Sequence, residues 1–112
     1  MQLTSRSHFL TLGILLIAFI CFSDLLYAAK GEVVYKSSRC DYFIVETPSG
    51  YALLEWYGGN DPDKGDIVVG NYEDYGFKDI YNLTADQEMK VWVEDYWLSK
   101  DDALERLFEL CE

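Results

Sequence analysis

The first 29 residues decide how much chain is left to fold. Met1 to Phe9 is polar, with Arg6 as its one firm positive charge. Leu10 to Phe22 is an apolar run of thirteen residues, broken only by Thr11 and Gly13. Ser23 to Ala29 is mixed and ends in Ala28-Ala29. A charged start, an apolar centre and a small-residue end are the three parts of a secretory signal peptide. Cleavage is expected after Ala28 or Ala29. The competing reading is an uncleaved anchor, but a spanning helix needs about 20 apolar residues, and Asp24 stops this run short. Lipidation at Cys21 is disfavoured by the bulky Phe19-Ile20 before it.

Removing 29 of the 112 residues leaves 83, taken as a single exported domain from 30 to 112. A chain of that length holds one small core with little stability in reserve. Arg6 and Asp24 cancel, so the remaining domain keeps the net charge of −11. Such an acidic surface disfavours nucleic-acid backbones and anionic membranes. It suits solubility, cations or a basic partner. The expected location is secreted or periplasmic, with no membrane attachment once the signal is removed.

Export also changes the reading of the cysteines. Cys40 and Cys111 are the pair that survives cleavage, and an even pair in a small exported domain reads as a disulfide. There is no Cys-x-x-Cys spacing. The only histidine, His8, lies in the signal. The domain therefore has no side chains for Ser-His or Cys-His nucleophilic catalysis, and no imidazole for zinc. No Gly-rich phosphate loop is present. No cofactor is expected.

The domain reads as a series of short strands. Glu32 to Lys36 is β-branched and short. Cys40 to Glu46 and Tyr51 to Tyr57 are rich in aromatic and branched residues. Between them, Thr47-Pro48-Ser49-Gly50 is a β-turn, so these two runs form a hairpin. Gly58 to Gly65 is a loop. Asp66 to Tyr72 follows as a strand, with Gly70 expected at a bulge or bend. Phe77 to Tyr81 is another strand, and Asn82 to Glu88 a polar connection. Lys90 to Trp97 alternates, with Val91, Val93 and Trp97 on one face and Trp92 and Tyr96 on the other.

The period then changes. Ser99 is a suitable N-cap with Asp102 three residues on, and Asp101 and Asp102 suit the positive end of a helix dipole. Leu104, Leu107, Phe108 and Cys111 recur at helical spacing, which turns Cys111 toward the sheet and toward Cys40. Element order thus predicts a mainly β fold: a small curled antiparallel sheet or barrel, SH3-like or OB-like, with one C-terminal helix. A fold of this kind carries little functional information by itself.

Candidate chemistry falls into three groups. Asp61, Asp63 and Asp66 lie in a loop that faintly echoes a calcium site, but Lys64 stands before Gly65 and the distant Glu ligand is missing. An ordinary polar loop is the simpler reading. Glu55, Asp66, Glu94 and Asp95 could pair as catalytic carboxylates, as in glycoside hydrolysis, although so acidic a chain makes chance pairs common. The aromatics are more telling. Trp56, Tyr57, Tyr72 and Tyr75 flank the acidic loop and the Glu73-Asp74 pair, a combination suited to Arg or Lys side chains or to sugars. The leading expectation is a non-enzymatic exported binding module that presents an aromatic-acidic surface to a basic protein or another extracytoplasmic ligand. The alternatives are a small carboxylate-dependent hydrolase and a structural envelope component. Asn82-Leu83-Thr84 is a glycosylation sequon whose use the sequence leaves open, as it does the oligomeric state.

Overall fold

The computed structural model describes residues 28–111. The expected signal peptide, with Cys21, lies outside the described residues except for Ala28 and Ala29. Six strands are followed by one helix: β1 (Ala29–Lys36), β2 (Tyr42–Thr47), β3 (Gly50–Gly59), β4 (Ile67–Gly70), β5 (Gly76–Asn82), β6 (Gln87–Leu98) and α1 (Lys100–Leu110). The strands close into a barrel in the order β1-β2-β3-β6-β5-β4, and every neighbouring pair is antiparallel. β4, β1, β2 and β3 together form a Greek key: three hairpin-linked strands, and a fourth that returns beside the first. The expected small barrel with one terminal helix is the fold observed.

Alternation in the strands builds the interior. Val33, Phe43, Val45, Ala52, Leu54, Val68, Tyr72, Ile80, Met89, Val91 and Val93 fill the barrel. Ile44 and Leu53 point the other way and are covered by Ala103 and Leu107 of α1. Burying a leucine side chain of this kind stabilises by roughly 2 kcal/mol. The helix therefore covers a second, smaller apolar patch on the outside of β2 and β3. Ser99 caps it as expected, its side chain accepting from the Asp102 amide at 3.2 Å. Cys40 and Cys111 are paired as a disulfide that joins the end of α1 to the β1–β2 connection.

Three details depart from expectation. β1 starts at Ala29, not Glu32, because it also pairs with β4, Ala29 opposite Gly70. Gly70 is not at a bulge; it ends β4 where a side chain would collide with Ile80. Trp97 does not share a face with Val91 and Val93. Leu54 lies opposite Val93 but Leu53 opposite Asp95, so β6 carries an extra residue there. That bulge reverses the alternation. Tyr96 then packs against the interior, while Trp97 turns outward, 64% exposed and at a φ of 59°.

Candidate functional site

The acidic loop is organised by its own side chains. Asn82 is fully buried, and its amide nitrogen donates to Asn60 Oδ1 and to Asp66 Oδ2, each at 2.8 Å. Asp66 Oδ2 also accepts from the Asp63 amide at 3.0 Å. Asp61 turns to Lys36, 2.9 Å away. Asp61 and Asp66 thus tie the loop to β1 and β5, Asp63 enters through its backbone amide, and among the described residues no three metal-ligating side chains converge. Trp56 belongs to the same structure. It is half-buried against the core and donates from Nε1 to the Asn60 carbonyl at 2.9 Å.

Tyr72 is withdrawn from the surface altogether. It is 2% exposed inside the barrel, and its hydroxyl has no hydrogen-bond partner among the described residues. Desolvation holds that hydroxyl well above the ordinary tyrosine range. Tyr72 stands two residues after β4, and closure of the barrel takes its ring into the interior. Glu73 and Asp74 are exposed on the β4–β5 connection, where Asp74 takes Lys78 at 2.8 Å. Of the six residues first read as a binding surface, Tyr57 and Tyr75 are the two exposed rings, 53% and 59%.

Those two rings lead to a larger surface on the outside of β3, β6 and β5. Tyr42, Glu55, Trp92 and Phe77 stand in one register line across β2, β3, β6 and β5. Their chain neighbours Phe43, Leu54, Val91 and Val93 face inward, so alternation turns this row out. Phe77 meets Tyr57 and Trp92 edge-to-face, with ring centroids 4.8 Å and 4.9 Å away. Such geometry sets the positive edge of one ring on the negative face of the next. Lys90 Nζ sits 5.2 Å from the Phe77 centroid. A second group continues along β6, with Tyr96 between Tyr75 at 4.8 Å and Trp97 at 5.1 Å.

Carboxylates are interleaved with these rings. Trp92 Nε1 donates to Glu94 Oε2 at 3.1 Å, and Tyr75 donates to Asp95 at 3.4 Å. The Glu55 carboxylate is the main reason the Tyr57 hydroxyl is held above its usual range. Tyr42 is raised chiefly by desolvation and then by Glu55 and Glu94, and Tyr75 chiefly by Asp95. All three tyrosines therefore stay neutral donors at physiological pH. Glu55, Glu94 and Asp95, considered above as catalytic carboxylates, lie on this convex outer face, and Asp66 is held by Asn82. Sequence reading missed Phe77, Trp92 and Trp97 as members of the surface. Alternation in β5 and β6 was visible, but the register that brings the two strands' rings together was not.

No family model, no curated protein and no solved structure matches the chain.

Proposed function

We propose that this protein is a non-enzymatic exported binding module, and that the outer face of β3, β6 and β5 is its contact surface. The carrying observation is the Tyr57–Phe77–Trp92 cluster: three rings locked edge-to-face, with Tyr57 and Phe77 still half-exposed, 53% and 50%. Rigid aromatic rings give a partner large contact area at small entropic cost. Glu55 and Glu94 beside them favour a partner whose contacting side chains are Arg or Lys, which can stack on the rings and meet the carboxylates. The chain's net charge of −11 would steer such a partner toward it.

The test is affinity capture from the extracytoplasmic fraction with wild-type protein and with a Tyr57→Ala, Phe77→Ala double variant. A basic partner captured by wild type and lost by the variant, at unchanged melting temperature, supports the reading. Capture should also weaken as salt is raised. Equal capture by both proteins would remove the surface from consideration.

A further inference from the structure

A different part of the molecule has the form of a small-ligand site. Between α1 and the outside of β1, β2 and β3 lies a cleft of about 400 Å³. Small-molecule sites run from about 300 to 1,000 Å³. Val34, Ile44 and Leu104 form its apolar lining, and Tyr35, Tyr51 and Phe108 its aromatic part. The Tyr35 and Phe108 rings meet edge-on at 5.8 Å in its wall.

The charges are what point to a ligand class. Lys64, Lys100 and Glu46 also line the cleft, giving two positive groups against one negative. Among the described residues three of the eight cations are paired: Lys36 with Asp61, Lys78 with Asp74, and Arg106 with Glu94. Neither Lys64 nor Lys100 makes a salt bridge among the described residues. Lys100, Leu104 and Phe108 are four residues apart in turn, so one face of α1 carries both the charge and the apolar wall. Asp101 and Asp102 fall on other faces of the helix. The Cys40–Cys111 bond holds the far end of α1 to the barrel, so the cleft is preformed.

We infer that this cleft binds an amphiphilic monoanion, a carboxylate on a hydrocarbon tail. The tail lies along Ile44, Leu104 and the rings, and the carboxylate is taken by Lys64 and Lys100. One net positive charge matches a monoanion better than a dianion, which Glu46 would oppose. The site is separate from the aromatic face of β3, β6 and β5 and stands whether or not that face binds a protein.

Calorimetric titration of the full chain with octanoate, and with octanol as the neutral analogue, tests it. A Lys64→Met, Lys100→Met variant provides the control; both positions are exposed, so the fold should be retained. Any binding by other segments is common to both proteins and cancels in the comparison. Octanoate should bind wild type about tenfold more tightly than octanol, as a charge-assisted contact warrants, and the variant should lose that preference while still taking octanol. No octanoate binding at millimolar concentration, equal affinity for the two probes, or a preference that survives in the variant would each overturn the assignment.

Discussion

The side-chain amide of Asn82 donates to the carboxylate of Asp66 at 2.8 Å, across sixteen residues of chain. The same nitrogen serves Asn60, and the Asn82 oxygen accepts from the Ala85 amide at 3.1 Å. One buried side chain thereby joins the loop after β3 to the turn between β5 and β6. Asn82→Ala should cost roughly 2 kcal/mol, because it leaves two part-buried acceptors without their donor. Asn82→Asp should cost more near neutral pH, since it sets a second carboxylate against Asp66. Part of that loss should return at about pH 4, where the introduced carboxyl gains a proton. Urea unfolding at pH 7 and pH 4 checks both.

The same geometry decides the sequon. Both amide hydrogens of Asn82 are engaged and the residue is fully buried. Thr84 is engaged too, its hydroxyl oxygen accepting from the Ile67 amide at 2.9 Å. A sugar on Asn82 cannot coexist with this arrangement. Expression in a glycosylating host should yield folded protein with no mass added at Asn82; a folded species carrying a glycan there would contradict the loop structure.

Tyr72 should add to the loss of stability in alkali. Its folded-state ionisation is raised above the ordinary value of 10 by burial. The unfolded chain therefore loses this proton first. The contribution is fully present below pH 10 and is lost as pH rises above it. Tyr72→Phe removes a buried hydroxyl without a partner, so stability at pH 7 should hold or rise by about 1 kcal/mol. Above pH 10 the variant should lose stability less steeply than wild type. Denaturant midpoints at pH 7 and just above pH 10 are the measurement. A large loss at pH 7 would mean the hydroxyl has an essential partner.

Reduction of the Cys40–Cys111 bond should lower stability by about 4 kcal/mol, given a separation of 71 residues and the entropy of closing so large a loop. A Cys40→Ser, Cys111→Ser variant should show a similar loss. Its barrel signal should persist longer than its helical signal during unfolding, because α1 is otherwise held by Ala103 and Leu107 over Ile44 and Leu53. Circular dichroism followed with increasing urea separates the two.

If the leading segment is removed on export, N-terminal sequencing should find Ala29 first. Ala29 pairs with Gly70 and opens β1, so a cut after Ala28 leaves the strand whole.

Local signals in the chain were enough for most of the architecture. The Pro48-Gly50 turn, the Ser99 cap and the helical spacing up to Cys111 are near-neighbour features, and the structure has them where the sequence places them. The cysteine pairing was legible because the helix face and the cysteine count agreed. What escaped were features set by distant partners. β1 extends back to Ala29 only because β4 is beside it. Trp97 turns out because β6 carries an extra residue against β3. Tyr72 looked like a surface aromatic because two acidic residues follow it, yet closure of the barrel takes it inside. The Phe77–Trp92 contact needed the register of two strands at once.

Closure has a consequence for how any protein partner can be recognised. In an open sheet the outermost strand offers free amides and carbonyls, and a visiting peptide can bind by joining the sheet. Here β1 is bonded on both sides, to β2 and to β4, and among the described residues every strand has two neighbours. Closure therefore leaves little free strand edge for main-chain templating: the part of β5 before Tyr81 is the stretch that β4 does not pair. Selectivity has to come mainly from ring shape and carboxylate placement, one side chain at a time. The same closure protects the folded domain from stacking edge-to-edge into fibrils.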